Sequence, residues 1–288
     1  MHRLKRSILI GLAFCFNPLL VAQANAENGN NESQKQSVTF ANPAAQQFRI
    51  HGLSRFTGEQ KDVLRQWLKE GVKATRQTLG DYPRRLELYV YPKPSDQPVP
   101  WAHTRRDAQE SIHFYVDTRF ALHDFISDWT IYHELAHLAI PYVGEQYAWF
   151  SEGFASYMQY QIMEADKLLS EPSEQLYHNK IAPHLGRFNT KKSAASIATD
   201  LMEKRNYPAA YWGGSWYFLM ADQQLQNQHN MRLTELIAHY QQAGRDRDKN
   251  IQEVVNSLDA LINDSLFSDL LYRFEHGPAQ ELYPSQFN

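Results

Sequence analysis

Cysteine is nearly missing from this 288-residue chain: the one thiol, Cys15, lies in an apolar N-terminal stretch. Once that stretch is removed no disulfide can form, so the fold must rest on its apolar core or on a metal. Long hydrophobic runs are missing as well. The run from Ser7 to Val21 is short, is interrupted by Asn17 and Pro18, and is followed at once by polar residues, which argues against a stable membrane insertion. Three basic residues precede it (Arg3, Lys5 and Arg6), and the small-x-small pattern Ala24-Asn25-Ala26 follows it. Residues 1–26 are therefore expected to be a secretory signal peptide, and the mature chain to be periplasmic or secreted. Phe14 ahead of Cys15 argues against lipoprotein processing. Basic excess is also missing: without the leader's three, 26 Lys and Arg face 32 Asp and Glu, a net of −6. Neither nucleic acid nor an anionic membrane surface is an expected partner. No internal repeat is present.

What remains suits one domain or a closely joined pair. Residues 27–47 are rich in Asn, Gln, Ser and Ala, with few bulky apolar side chains, and read as a disordered linker. Phe48-Arg49-Ile50-His51 is a short alternating strand. Thr57-Gly58-Glu59-Gln60 opens a helix to about Leu79, with Val63, Leu64, Trp67, Leu68 and Val72 on its buried face. Gly80-Asp81-Tyr82-Pro83 ends it. Leu86 to Tyr91 alternates as a strand closed by the proline-rich stretch Pro92 to Pro100, and Ser111 to Val116 is the next strand. From Met231 the pattern is helical and polar-faced. Leu233, Leu236, Ile237 and Tyr240 form one stripe, and Ile251, Val254, Val255, Leu258, Leu261 and Ile262 another. Gly244 to Asp248 is a charged loop between them, and Leu266, Leu270, Leu271 and Phe274 mark a last short helix.

Against this background His133-Glu134-Leu135-Ala136-His137 stands out. On a helix, positions i and i+4 lie one turn apart on one face, so both imidazoles can reach one ion. Glu134 sits about 100° around the helix. It is poorly placed to join the same coordination sphere and well placed to take a proton from a water attacking a carbonyl. Zinc metallopeptidases use this arrangement. Among 12 histidines a chance match is possible, so context decides. Apolar residues recur at helical spacing from about Leu122 (Phe125, Ile126, Trp129, Ile131, Tyr132, Leu135, Leu138), and Pro141 stops the helix near Ile140. Two histidines and a glutamate on such a buried helix are costly unless paired or metal-bound.

A zinc site that does chemistry needs a third protein ligand and an open position. Two residues compete for that role. Glu152 lies on a second helix expected from about Tyr147 to Asp166, which an antiparallel return would carry back beside His133 and His137. Gly153 and Ala155 are small enough for those two helices to approach closely, and a mid-helix glycine costs about 1 kcal/mol relative to alanine, so it wants a packing reason. Glu145, in the turn between the helices, is the rival; a fixed helical position favours Glu152.

H-E-x-x-H followed by Trp149-x-x-Glu152-Gly153-x-Ala155-x-Tyr157 resembles the gluzincin metallopeptidases, the peptidase-MA-like members most and the gluzincin aminopeptidases more distantly. The resemblance implies His133, His137 and Glu152 as zinc ligands, one Zn2+ per chain, and Glu134 as general base. Tyr211-Trp212-Gly213-Gly214 is similar to the Y-x-x-G start of a later gluzincin helix, so Tyr211 inherits the role of hydrogen-bonding the developing oxyanion; Tyr207 is its nearest substitute. In zincins an edge strand at the place of Ile112 to Val116 pairs with extended substrate, which makes Ile112, Phe114 and Val116 candidates for substrate binding. His113 reads as a packed or solvated histidine, and Arg105 and Arg106 as solvated loop charges. The likeness carries identifiable motifs over residues 110 to 225. It departs from the aminopeptidases in the 14 residues between His137 and Glu152, a tighter connection, and in lacking a G-x-M-E-N-like segment.

The implied architecture is α+β and zincin-like: a small mixed sheet over the H-E-x-x-H helix within a metallopeptidase domain at 48–225, then a helical C-terminal subdomain at 226–288. The implied activity is zinc-dependent hydrolysis of peptide or protein substrates. Two other readings stay open: a zinc-binding protein of this fold that binds a partner without cleaving it, and a zinc hydrolase of a non-peptide amide in the cell envelope.

Overall fold

The computed structural model describes residues 48–82, 84–106, 109–243 and 248–285. The expected signal peptide at 1–26, the linker at 27–47 and most of the charged loop near 244–247 lie outside the described residues.

Strand β1 (Phe48–His51) leads into helix α1 (Gly58–Leu79), and β2 (Leu86–Pro92), β3 (Trp101–Arg106) and β4 (Glu110–Val116) follow. Thr57 starts α1 by a capping box: its backbone N–H donates to Gln60 Oε1 at 3.0 Å, and its hydroxyl accepts from the Gln60 N–H. Gly80 ends the helix at φ +85°, where a side chain would also crowd Ala238. The four strands form one mixed sheet in the order β1-β2-β4-β3. β1, β2 and β4 run parallel, and β3 pairs antiparallel with β4, Thr104 opposite Ile112.

This order corrects the expectation for Ile112 to Val116. β4 is an inner strand, flanked on both sides, and Ile112, Phe114 and Val116 are at most 1% exposed. They point into the core, where Phe114 meets Trp67 of α1 edge-on at 5.1 Å. The edges of the sheet belong to β1 and, beside β4, to β3. That strand was hidden because its inward residues, Ala102 and Thr104, are small or polar and give no apolar alternation. Arg106 is likewise a strand residue with a fixed task rather than a loop charge, whereas Arg105 is exposed.

Next come α2 (Leu122–Ser127) and α3 (Thr130–His137), where a single helix to Ile140 is expected. The break falls at Asp128, whose backbone is extended and whose carboxylate accepts the Thr130 N–H at 2.8 Å. Such a side chain offers the backbone an alternative to a continuous ladder and starts a new helix. α3 also stops early, because Leu138 and Ala139 donate to Leu135 and Ala136, tightening the last turn. Every residue of α3 is buried.

The remainder is helical: α4 (Ala148–Ala165), α5 (Ser173–Ile181), α6 (Leu185–Phe188), α7 (Ala194–Glu203), α8 (Tyr207–His229), α9 (Leu233–Ala243), α10 (Ile251–Ile262) and α11 (Leu266–His276). α4 is buried over almost its whole circumference, as a helix apolar all round must be. It packs against α3 on one side and α8 on another. At the α4–α8 crossing the two backbones approach closely. A Cβ on Gly153 would stand 2.4 Å from the Gly214 carbonyl carbon, and one on Gly214 would stand 2.2 Å from the Trp149 carbonyl oxygen. Gly153 is therefore small for the sake of α8, not for α3 as its place in the motif suggests. The last helices share this core: Phe274 of α11 stacks on Trp149 at 5.7 Å, and Tyr217 of α8 donates to the Phe267 carbonyl at 2.8 Å. α9 closes on the end of α1 through Gln241, which donates to the Leu79 carbonyl. No helix among the described residues is long and apolar enough to cross a membrane.

Candidate metal centre

α3 presents His133 and His137 one turn apart, and α4 brings Glu152 to them. Glu152 Oε2 lies 3.3 Å from His133 Nε2 and 3.6 Å from His137 Nε2. One donor atom from each of the three falls within 4.8 Å of the others, and all three residues are buried. Two imidazoles and a carboxylate, converging by Nε2 and one oxygen, are a donor set that suits zinc. They form the only such cluster among the described residues. Glu145 is exposed in a short turn outside the cluster.

The orientation of His133 is set from behind. Its Nδ1 lies 2.9 Å from Gln159 Oε1. An amide oxygen only accepts, so Nδ1 is a protonated nitrogen committed to Gln159, and Nε2 is the nitrogen that faces Glu152 and is available to a metal. Gln159 follows Glu152 by seven residues, two turns along the same face of α4, so one helix supplies both the carboxylate and the histidine's partner.

Glu134 is buried beside the cluster and outside it. Thr104 of β3 reaches it: its hydroxyl lies 2.9 Å from Glu134 Oε2 and 3.3 Å from the Glu134 carbonyl oxygen. Next along that strand, Arg106 donates to the carbonyls of His137 and Ile140, the latter at 2.9 Å, and so covers the open C-terminal end of α3. The edge strand thus anchors the motif helix at two points.

Charge is divided unevenly here. Burial alone would raise the Glu152 carboxyl, but the facing His137 and His133 outweigh it and hold it at about 2. Burial lowers His133, and the Glu152 carboxylate reverses that, so its affinity for a proton ends above the usual histidine value. Glu134 goes the other way from Glu152: burial raises it, and the histidines and the Thr104 hydrogen bond only partly compensate. Two neighbouring carboxyls with separated proton affinities are a common sign of divided chemical roles.

Tyr211, in the first turn of α8, has its ring 6.3 Å from that of His133 and nearly parallel to it. Its hydroxyl group is close enough to Glu152 to feel that carboxylate's charge. Burial and the negative charges of Glu152 and Glu134 raise its pKa, so it stays a phenol and a donor. Tyr207, one turn earlier, lies 6.0 Å from Tyr211. The Gly153–Gly214 contact explains this placement, since it presses the start of α8 onto the stretch of α4 that carries Glu152.

The structure therefore brings His133, His137, Glu152, Glu134 and Tyr211 together and leaves Ile112, Phe114 and Val116 in the core. His113 is packed, stacked between Tyr89 at 4.5 Å and His103 at 4.9 Å on the opposite face of the sheet. Sequence reasoning missed Thr104, Arg106 and Gln159 as site residues. Gln159 carried a signal, the seven-residue spacing from Glu152; Thr104 and Arg106 carried none, because their part depends on the antiparallel return of β3.

No protein-family profile matches the chain, and no curated protein does. Among solved structures it is similar to a mutant of an M1 zinc metallopeptidase from Deinococcus radiodurans bound to a Tyr-Ser-Ala substrate, with a TM-score of 0.49 and 15% identity. That match covers 80% of this chain and 48% of the other, so the chain spans about half the length of that protein.

Proposed function

We propose that this chain is an exported zinc metallopeptidase of gluzincin type, with His133, His137 and Glu152 holding one Zn2+ per chain. The observation that carries the reading is the convergence of both histidine Nε2 atoms on one oxygen of Glu152, with Glu134 beside the group but outside it. Zinc, when bound, supplies Lewis-acid polarisation of a carbonyl and lowers the pKa of water toward neutrality. The protein's own residues do the rest. Glu134 takes a proton from the attacking water and returns it to the leaving amine; its raised proton affinity suits a base working near neutral pH. Thr104 hydrogen-bonds Oε2 of Glu134, which leaves Oε1 as the oxygen to take the water's proton. Tyr211 donates its hydroxyl hydrogen to the oxygen on which negative charge develops. Of the two edge strands, β1 and β3, the one placed to pair with an extended peptide is β3, because it also carries Thr104 to Glu134.

Metal analysis by mass spectrometry tests the ligand set. The expected result is one zinc per chain, lost in His137→Ala and in Glu152→Ala. Glu134→Gln should keep the zinc and lose peptide hydrolysis by about 100-fold or more. Zinc that survives Glu152→Ala, or full activity in Glu134→Gln, sinks the reading.

A further inference from the structure

Large apolar side chains left exposed are few among the described residues: Trp129, Tyr142, Leu261 and Tyr272. Leu261 and Tyr272 lie on α10 and α11, and single exposed apolar residues of that kind are ordinary surface. Trp129 and Tyr142 are placed differently: they flank the motif helix, one before its first residue and one after its last.

Trp129 is the more telling. It precedes His133 by four residues, as His133 precedes His137, so the three side chains follow one another along a single stripe. Its indole meets the His133 ring at 5.4 Å with the planes at 84°, yet 45% of the residue remains open to solvent. The ring therefore touches a buried ligand candidate while much of its own surface stays open to solvent. What it offers a ligand is apolar area. Asp128, its neighbour in the chain, is turned onto the Thr130 N–H, so it does not supply the free anion that a basic side chain would seek.

On the reading of His133, His137 and Glu152 as a zinc site, we propose that Trp129 is a specificity-determining residue. It packs against a bulky apolar or aromatic substrate side chain next to the scissile amide. Small side chains leave its exposed area wet and gain nothing there. Tryptophan suits this role, because a large rigid ring presents contact area at little entropic cost.

The test uses the zinc-loaded chain and two amino-acid hydroxamates that differ only in carrying a benzyl or a methyl side chain, with affinities read by calorimetry. Hydroxamates bind zinc whether or not the protein cleaves peptides, so the test does not depend on turnover. The benzyl compound should bind at least about tenfold more tightly, the scale of one well-buried aromatic contact. In Trp129→Ala that ratio should fall below about threefold, and Trp129→Leu, which keeps apolar bulk, should retain part of it. Tyr272→Ala, an exposed ring on α11, should keep the wild-type ratio. An unchanged ratio in Trp129→Ala, or equal affinities in the wild type, overturns the proposal and leaves the zinc reading standing. Failure of both hydroxamates to bind overturns the zinc reading and the proposal with it.

Discussion

Single side chains behind the cluster decide how well it works, and two of them separate metal binding from proton transfer. Gln159 accepts the proton on His133 Nδ1. In Gln159→Leu that donor is left unsatisfied in a buried place and the ring loses its anchor, so zinc affinity should fall by about 10- to 100-fold in a chelator competition. Gln159→Glu keeps an acceptor and should bind zinc at least as well as the wild type. If Gln159→Leu binds zinc like the wild type, the amide has no such role. Thr104 acts on the base instead. Thr104→Val keeps the shape and removes the donor to Glu134 Oε2. Zinc content should stay at the wild-type level while kcat falls by about tenfold, the effect of a carboxylate that wanders from its productive orientation. A loss of zinc in Thr104→Val would show that the hydroxyl supports the metal cluster rather than the base.

At the scale of elements, the contact that brings Tyr211 to the centre is the crossing of α4 and α8. Gly153→Ala would drive a methyl into the Gly214 backbone, 2.4 Å away, and backbone cannot step aside as the tip of a side chain can. The expected cost is about 3 kcal/mol, at the upper end for overpacking, with a clear drop in melting temperature. Gly186→Ala is the control: a Cβ there meets nothing within 4 Å, so the melting temperature should hold or rise slightly. Equal melting temperatures for the two variants would mean that the α4–α8 crossing accommodates a methyl group at Gly153 and does not limit stability. The same crossing sets Tyr211 against Glu152, so a Gly153→Ala protein that still folds should lose activity beyond what its lost stability explains.

Across the whole molecule, the sheet divides labour between its faces: one packs on the helices and carries Thr104 to Glu134, while the other is a layer of stacked rings. There His103 is buried, and burial, then His113 and Arg105, lowers its pKa from the ordinary histidine value to about 4. Its two ring nitrogens have no hydrogen-bond partner among the described residues. Native His103 is thus neutral at a pH where the unfolded chain already binds a proton. Between pH 6.5 and about 4 the unfolded state holds the extra proton, so stability should decline as pH falls through that window and this contribution should level off below it. Urea midpoints at pH 7 and pH 4.5 would read the slope, and His103→Gln should flatten it; an undiminished slope in that variant assigns it to other groups. Much of this molecule was legible from local pattern. The capping box of α1, the extent of α4, the i, i+4 histidines and Glu152 follow from periodicity and spacing, because a helix fixes which side chains share a face. The break at Asp128 was not legible, since a carboxylate that caps and one that faces water look alike in a string of letters. Nor was the antiparallel insertion of β3, which placed β4 inside the sheet and sent Thr104 and Arg106 to the motif helix. Gly153 announced a close approach, but its partner, Gly214, lies 61 residues on. Helical periodicity is a property of neighbours along the chain and is written in their order. Strand order and helix crossings arise between segments far apart in it, and only the packed core selects among the pairings the sequence allows.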